Sequence, residues 1–509
     1  MIKRALISTY DKSGLEKLAG FLHGRGIKLI SSGGTYDFLR QIGIASTKVS
    51  DITAFPEILA GRVKTLHPAI HAGILCRADQ EAELMANGFE TIDLVIVNLY
   101  PFEEVVSAGA NLDEALENID IGGPAMLRAA AKNFPRVTPI CSPDNYDDLM
   151  DEMKSNDGDT SLEFRRQMAR KAFARTSAYD NAIVQYLTGG DWLFPEQISL
   201  TLQKQANLRY GENPHQQAAL YGEPAFAAST LVGAKILSGK ELSFNNIWDL
   251  ESALLMALDF AEPFAAVIKH TNPCGAAVGK TLAEAYAKAL AADPLSAFGS
   301  VISLNRTVDI DTARLIHDTE FIECVLAPEF SPEALDLMKK KKTRRLVAVG
   351  QLKPPPDGYF EMRSLLGGAL VQTRDNREIK AQDLRLVTVA QPTSSEIEDL
   401  LFGFKLVKHV KSNAVLICRD GAAVGIGPGQ TSRVDASIIA VRKAGDRAKG
   451  AVAASDAFFP MPDGLEVLAN AGVRAVIQPG GSKGDPEVIA AADRLGVAMV
   501  FTGIRHFRH

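Results

Sequence analysis

The sequence predicts an α/β protein built from parallel strands and helices. Short apolar runs alternate with helical patterns along the first third of the chain, and the remainder continues the alternation. This spacing is typical of βαβ units, whose strands pair in parallel because each helix returns the chain to the same end of the sheet. Hydrophobic residues make up 46% of the 509 residues and charged residues 23%, which predicts a large buried core rather than disorder.

The first third contains three strand and helix pairs. Apolar runs at 5–8, 28–31 and 94–97 predict strands, and helical patterns at 14–23, 35–42 and near 112–117 follow them. A long helical pattern at 162–187 closes the segment, and the glycine-containing stretch 188–195 predicts a linker. We therefore expect a first domain at residues 1–195 and a second at 196–509.

The second domain is predicted to have two lobes. Strands are expected at 266–269, 300–304, 346–349 and 415–418, and the proline-rich stretch 353–358 predicts a stiff connector, so the lobes should divide near residue 355. The run 339–345 holds six positive charges in seven residues. Because it ends a helical pattern, where cations favour the helix dipole, a nucleic-acid site is the less favoured interpretation. No fixed-period repeat is evident.

Charge and cysteine content exclude several classes of protein. The 55 basic and 61 acidic residues give a net charge of -6, which argues against a general binder of nucleic acids or membranes. The five cysteines are scattered and never form a Cys-x-x-Cys pattern, as expected for reduced thiols. The N-terminal apolar stretch is too short for a signal peptide, and no run approaches the roughly 18 residues of a membrane span. We expect a cytoplasmic protein.

Four clusters in the first domain combine turn residues with polar side chains. Residues 31–35 follow a strand and open a helix, so their free amides suit a phosphate, with a simple helix cap as an equal alternative. Residues 61–68 place two cations and a histidine in a rigid loop. Tyr100 should lie at the carboxyl edge of the sheet, Asp120 stands beside a glycine-rich turn, and Lys132 adds an amine. Such a set could bind a phosphorylated substrate and move protons on it.

The second domain offers an acid and base pair. Lys269 and His270 end an apolar run and precede Asn-Pro-Cys-Gly, which predicts a strand end followed by a backbone breaker, with both side chains at the mouth of a sheet. Histidine is suited to act as a base near neutral pH. Pro273 and Cys274 match part of the zinc deaminase signature, but its second cysteine would fall at Ala277 and the chain contains no His-x-Glu. We expect no zinc site.

Eight motifs in the same order resemble the bifunctional purine biosynthesis enzymes, which combine AICAR (5-aminoimidazole-4-carboxamide ribonucleotide) formyltransferase with IMP cyclohydrolase. The resemblance runs from about residue 3 to the last residue and implies a methylglyoxal-synthase-like first domain followed by two cytidine-deaminase-like lobes without zinc. The motifs lie at 61–68, 98–102, 120–124, 208–215, 269–275, 293–299, 456–464 and 505–509.

In the first domain the resemblance implies a cyclohydrolase, which closes the formylated intermediate to inosine monophosphate (IMP) with loss of water. Tyr10 stands where the family commonly has Ser, and its phenol lies beside the expected nucleotide site. Polarisation of the formyl oxygen and proton transfer are implied for Lys64, Tyr100, Asp120 and Lys132. Nucleotide binding is implied for Lys12, Ser32, Gly33, Gly34, Thr35, Arg62 and Thr65.

In the second domain the resemblance implies a transformylase, in which the amine of AICAR attacks the formyl group of 10-formyltetrahydrofolate. His270 would take the proton, while Lys269 would stabilise the oxyanion or protonate the folate nitrogen. The family builds this site across a homodimer interface without a catalytic metal, and it allows a structural monovalent cation. Substrate binding is implied for Arg209, Tyr210, Phe298, Asn413, Phe458, Asp463, Arg505 and Phe507.

Two other hypotheses compete with a bifunctional enzyme. In the first, only the transformylase is active because Tyr10 impairs the N-terminal pocket. In the second, the chain is a nucleotide-binding scaffold that has lost turnover. The presence of Lys64, Asp120, Lys269 and His270 argues against the scaffold, since binding alone does not require general acids and bases.

Overall fold

The computed structural model describes residues 1–189, 193–223, 229–356 and 359–509. Contacts divide the chain into two compact units, Met1–Thr201 and Leu202–His509. Parts of the predicted linker 188–195 and of the connector 353–358 lie outside the described residues. The boundary at residue 195 and the division near residue 355 stay predictions. Among the described residues, none of the helices combines the length and the apolar character needed to span a membrane.

The first unit contains a five-stranded sheet in the order β3-β2-β1-β4-β5, and every pair in it is parallel. This confirms the predicted α/β class and parallel pairing. Successive residues of β1 face opposite sides, so Leu6 enters one apolar core and Ile7 the other. The strands are β1 (Arg4–Thr9), β2 (Lys28–Ser31), β3 (Thr47–Lys48), β4 (Leu94–Asn98) and β5 (Thr138–Ile140).

Helices cover both faces of this sheet. The long helix α10 begins where Ser161 accepts the Phe164 N–H at 3.2 Å, and α4 has Pro68 in its first turn, where a missing N–H costs nothing. The helices are α1 (Leu15–Gly24), α2 (Gly33–Gln41), α3 (Val49–Thr53), α4 (Pro68–Leu75), α5 (Glu81–Ala86), α6 (Phe102–Ser107), α7 (Leu112–Glu117), α8 (Gly122–Lys132), α9 (Tyr146–Ser155) and α10 (Leu162–Thr188).

The second unit contains a twelve-stranded mixed sheet in the order β16-β21-β20-β19-β17-β18-β10-β9-β11-β12-β13-β8, and two separate hairpins, β6 with β7 and β14 with β15. The strands are β6 (Gln203–Leu208), β7 (Ala218–Gly222), β8 (Lys235–Ser238), β9 (Phe264–Lys269), β10 (Asn272–Val278), β11 (Ser300–Leu304), β12 (Ile322–Ala327), β13 (Arg345–Ala348), β14 (Phe360–Leu365), β15 (Gly368–Thr373), β16 (Arg385–Leu386), β17 (Val415–Arg419), β18 (Ala422–Gly427), β19 (Val452–Ser455), β20 (Ala475–Gln478) and β21 (Ala498–Phe501).

Eight helices of the described residues flank this sheet. Helices α11 and α15 cover one face, where a single core joins residues such as Leu250 and Leu406. The other face carries two separate cores, one around Tyr286 and one around Phe459. The helices are α11 (Phe244–Asp259), α12 (Leu282–Ala292), α13 (Ile310–Asp318), α14 (Pro332–Met338), α15 (Ser394–Val407), α16 (Arg433–Ala444), α17 (Asp463–Asn470) and α18 (Asp485–Leu495).

The two halves of this sheet repeat one arrangement. The series α11-β9-β10-α12-β11-α13-β12-α14-β13 corresponds to α15-β17-β18-α16-β19-α17-β20-α18-β21, with an offset of 150 residues between the starts of α11 and α15. The halves meet where β10 pairs antiparallel with β18, with Ala277 opposite Ala422. A Cβ at Gly275 would lie 2.1 Å from the Ala289 carbonyl oxygen, and one at Gly425 would lie 2.2 Å from that of Ala440. In both halves, therefore, the following helix packs directly on the strand backbone.

The prediction of a backbone breaker after His270 is wrong. Asn272 and Pro273 are instead the first two residues of β10, which pairs antiparallel with β9. Proline is tolerated there because the register shifts between Pro273 and Gly275. At such a bulge the regular hydrogen-bond ladder is interrupted, so the N–H that proline lacks is not needed. Lys269 and His270 therefore lie at the tip of a tight hairpin rather than at an open strand end.

Candidate active sites

The first candidate site lies at the carboxyl edge of the parallel sheet. Strands β1, β2 and β4 end together there, with Thr9 opposite Asn98, and α2 begins immediately after β2. The hydroxyl of Ser32, which precedes α2, is buried and has no hydrogen-bond partner among the described residues. The Gly33 N–H points toward a Glu57 carboxylate oxygen at 3.4 Å. An unpaired hydroxyl at the positive end of a helix forms a cradle for an anion.

Two amines lie beside this cradle. The Lys12 ammonium donates to the Thr9 carbonyl and, at 3.2 Å, to the Thr35 hydroxyl. The Lys64 ammonium lies so close to Gly33 that a Cβ there would be 3.4 Å from Nζ. Burial lowers the pKa of Lys12, and the charge of Lys64 lowers it further against the opposing effect of Asp11. Two cations kept near each other in this way would be stabilised by a bound phosphate.

Asp120 is fixed just before α8. Its carboxylate accepts the Gly123 N–H at 2.8 Å, and its own N–H donates to the Tyr179 hydroxyl at 2.8 Å. Burial raises the pKa of Asp120, while the Gly123 N–H and the Lys64 charge act in the opposite direction. Lys64 is thus near enough for its charge to act on the Asp120 carboxylate.

Tyr10 and Tyr100 form an aromatic pair at the same edge. Their ring centroids are 5.9 Å apart with an interplanar angle of 65°, an edge-to-face arrangement. Asn98 joins the two loops, because its side chain accepts the Asp11 N–H at 3.0 Å and donates to the Asp11 carbonyl at 2.8 Å. The Tyr10 ring packs on Tyr100, and beside it Lys12 keeps its bond to Thr35.

Three other residues predicted for this site, Thr65, Arg62 and Lys132, have different surroundings. Thr65 is buried against Gly122. Arg62 is exposed and pairs with Glu117, with Nε 3.3 Å from a carboxylate oxygen. Lys132 is exposed at the last residue of α8, which at 1.5 Å per residue lies about 15 Å along the axis from Gly122. The described contacts do not bring Lys132 to Asp120.

The second candidate site is the turn between β9 and β10. The Lys269 ammonium donates to the Phe298 backbone carbonyl at 2.9 Å, and the Phe298 side chain is exposed. His270 is exposed and has a φ of 52°, and Thr271 has a φ of 64°. Left-handed backbone at two successive residues with a Cβ is unusual and is often found at functional sites. The hairpin thus presents an imidazole to solvent and an anchored ammonium next to it.

Cys274 is the third residue of β10, and its free thiol is partly buried. Burial raises its pKa to about 11, and the carboxylate of Asp293 acts in the same direction. Asp293 is in turn held by the Lys443 ammonium and by the Ser296 hydroxyl, the latter at 2.6 Å. Among the described residues, no group of three or more His, Cys, Asp or Glu side chains is arranged to hold a metal ion.

A buried ion pair joins Asn413 to the C-terminal tail. Arg433 pairs with the fully buried Asp456 and donates to the Asn413 amide oxygen at 2.9 Å. The backbone N–H of His506 donates to the Asp456 carbonyl at 2.9 Å, which holds the tail beside this pair. The tail also carries the predicted Arg505 and Phe507, whose guanidinium and ring centroid are 4.7 Å apart.

The remaining predicted residues are exposed or partly exposed. The Arg209 guanidinium lies 4.6 Å from the Tyr210 ring centroid and donates to its hydroxyl at 2.7 Å, just after β6. Phe458 follows β19, and Asp463 is the first residue of α17, where its carboxylate accepts the Gly464 N–H at 2.7 Å. The sequence prediction missed Arg433, Asp456 and Asp249, whose roles depend on contacts between distant segments.

Comparison with known proteins identifies the family. Residues 14–125 match the MGS-like domain family, and residues 130–443 match the family described as the AICARFT/IMPCHase bienzyme. The second match covers more than half of the chain. The chain belongs to the AICARFT/IMPCHase bienzyme family. It is therefore a bifunctional enzyme of purine biosynthesis with AICAR formyltransferase and IMP cyclohydrolase activities and a formyl-folate co-substrate, as the sequence predicts.

Relatives along the full length agree with this family. Proteins named bifunctional purine biosynthesis protein PurH from Thermoanaerobacter sp., Persephonella marina and Rhodospirillum rubrum are 47%, 48% and 49% identical, respectively, over 100% of this chain and 99–100% of their own length. These matches do not favour the hypothesis of a transformylase alone. A solved structure titled "Crystal structure of ForH" is 35% identical and covers 36% of this chain and 97% of its own, but its TM-score of 0.34 is too low to support an argument about the fold.

Proposed function

We propose that each predicted domain carries one of the two activities, the cyclohydrolase in residues 1–195 and the formyltransferase in residues 196–509. The observation that supports this division is the presence of two separate polar clusters. Lys64 and Asp120 lie beside an anion cradle in the parallel sheet, whereas Lys269 and His270 lie on a hairpin of the mixed sheet.

For formyl transfer, we propose that the amine of AICAR attacks the formyl carbon of 10-formyltetrahydrofolate. His270 removes the amine proton as the new C–N bond forms. Lys269, anchored on the Phe298 carbonyl, donates to the oxyanion and then to the folate nitrogen as the old C–N bond breaks. Formylated AICAR and tetrahydrofolate leave. Substrate contacts are assigned to Arg209, Tyr210, Phe298, Asn413, Phe458, Asp463, Arg505 and Phe507.

For ring closure, we propose that the carboxamide nitrogen of formylated AICAR attacks the formyl carbon and that water then leaves to give IMP. Lys64 and Tyr100 polarise the formyl oxygen, and Asp120, with its raised pKa, exchanges the protons that become part of the water. The phosphate is assigned to the cradle, with contacts from Lys12, Ser32, Gly33, Gly34, Thr35, Arg62 and Thr65. Lys132 is also assigned to proton transfer, for which it would have to approach Asp120; the described contacts do not bring the two together.

We further propose a homodimer that completes the transformylase sites. Exposed apolar side chains of the second unit support it: Trp248 is 59% exposed, and the hairpin of β14 and β15 exposes Leu365, Leu366 and Leu370. All five cysteines are free, which supports a location in the reducing cytoplasm. The structural monovalent cation that the family resemblance allows stays a prediction.

Two matched substitutions test whether the two activities use separate sites. His270→Ala should lower formyl transfer by about 10²- to 10⁴-fold and leave ring closure of supplied intermediate unchanged, because it removes only the transfer base. Lys64→Ala should do the reverse. Both rates are measured on the same purified protein, with AICAR and 10-formyltetrahydrofolate for one and formylated AICAR for the other. Equal loss of both activities in either variant would contradict two independent sites.

The proposed boundary has its own test. A fragment ending at residue 195 should convert formylated AICAR to IMP without the remainder of the chain. A fragment that is folded by circular dichroism but inactive would contradict the assignment of residues 1–195 as a complete cyclohydrolase.

A further inference from the structure

Each half of the mixed sheet contains an aspartate that braces the following hairpin. Asp249 on α11 accepts the Thr271 N–H at 2.7 Å. Asp399 on α15 accepts the Gly421 N–H at 2.7 Å and the Asp420 N–H at 2.9 Å. Both aspartates are the sixth residue of their helix, and both precede the first residue of the turn by 21 positions. The brace is therefore part of the duplicated arrangement.

The two braced turns have similar φ values but different side chains. Asp420 and Gly421 have φ of 52° and 70°, close to the 52° and 64° of His270 and Thr271. Two positive φ values in a two-residue turn match the twist of a hairpin, and glycine adopts them without steric cost. The second half uses a glycine at one of these positions, whereas the first half uses none. The turn that carries His270 thus needs its brace more.

The surroundings hold the first turn from both sides. The Asn272 amide donates to the His270 carbonyl at 3.1 Å, and its oxygen accepts the Lys411 N–H at 3.0 Å. On the helix side, burial raises the pKa of Asp249, as it does for Asp399. Each carboxylate is therefore shielded from water and accepts hydrogen bonds from backbone N–H groups instead. A desolvated carboxylate facing N–H groups is a strong and directional hydrogen-bond acceptor.

We propose that Asp249 is a positioning residue for formyl transfer. By holding the left-handed turn, its carboxylate keeps the imidazole of His270 beside the Lys269 ammonium. This inference rests on the proposed role of His270 as the transfer base. Asp399 holds the corresponding turn of the second half in the same way, but that turn carries no proposed catalytic group.

The test compares Asp249→Ala with Asp399→Ala in the full chain. Loss of a hydrogen bond to a charged acceptor corresponds to roughly 10- to 100-fold, so kcat for formyl transfer should fall by about this factor in Asp249→Ala, with KM for AICAR and folate changed less than about 3-fold. Asp249→Asn should recover most of the rate because its amide oxygen still accepts the N–H. Asp399→Ala should also lower the melting temperature yet leave formyl transfer unchanged.

A rescue variant separates positioning from folding. Adding Thr271→Gly to Asp249→Ala should restore part of kcat, because glycine adopts the positive φ without the steric cost that the Thr271 Cβ causes. Ring closure, measured on the same samples, should stay constant. An unchanged kcat in Asp249→Ala, an equal loss in Asp399→Ala, a rise in KM alone, or no rescue by Thr271→Gly would each overturn the proposal. If His270→Ala itself keeps full transfer activity, the failure lies with the proposed base and not with the brace.

Discussion

Replacing Tyr10 with alanine tests how the aromatic pair orders the cyclohydrolase site. The Tyr10 and Tyr100 rings meet edge to face at 5.9 Å, and such pairs contribute about 0.5–1.5 kcal/mol beyond their buried area. If this energy holds Tyr100 in its reactive orientation, its loss should lower kcat for ring closure by roughly 2- to 10-fold, since 1.4 kcal/mol is a factor of ten. Tyr10→Phe keeps the ring and should retain nearly the full rate.

The assay follows IMP formation from supplied formylated AICAR, with formyl transfer on the same protein as the internal control. In a Tyr100→Ala background, removal of Tyr10 should cause no further loss, because its effect acts through the Tyr100 ring. Independent, multiplying losses in the double variant would refute the coupling. Faster ring closure in Tyr10→Ala would show instead that the phenol obstructs the nucleotide cradle.

Two further predictions concern buried carboxylates. The folded-state pKa of Asp120 lies above its ordinary value of 3.8, so its ionised form destabilises the folded protein at neutral pH. Asp120→Asn should therefore raise the unfolding midpoint at pH 7, and this gain should shrink as pH falls toward 3.8. Ring closure should be lost in the same variant. A gain that persists unchanged in acid would contradict this cause. Asp456→Ala leaves the guanidinium of Arg433 buried without its partner and should cost about 3–5 kcal/mol of unfolding free energy in denaturant titration, and a cost below about 1 kcal/mol would contradict the buried pair.

Much of the first unit could be predicted because its elements are defined locally. The helix predicted at 162–187 is α10 (Leu162–Thr188), and the strands at 28–31 and 94–97 match β2 and β4 within one residue. The hairpin at Lys269 could not be predicted in the same way. Its two turn residues, His270 and Thr271, lack the glycine that signals a tight turn, and the carboxylate that stabilises them comes from Asp249, 21 residues before the turn.

The candidate sites show the same limit. Lys64 and Asp120 could be grouped because each stands in a glycine-containing turn segment of the first domain, and the charge of Lys64 acts on the Asp120 carboxylate. Lys132 separates from that group because α8 runs on as a continuous helix, although its opening Gly-Gly-Pro suggested a turn. Arg433 and Asp456 were missed because a buried ion pair between a helix and a strand end leaves no periodic pattern in the sequence.

The antiparallel seam between β10 and β18 also has a consequence for how the second unit folds. Each half completes its own run of neighbouring strands and has its own core on one face, whereas the core beneath α11 and α15 joins both halves. Pairing across the seam links segments far apart in sequence, and such contacts form late because chain closure costs entropy before it is repaid. We expect each half to collapse separately and the seam to close last, so refolding should be slowest for hydrogen-exchange protection of β10 and β18.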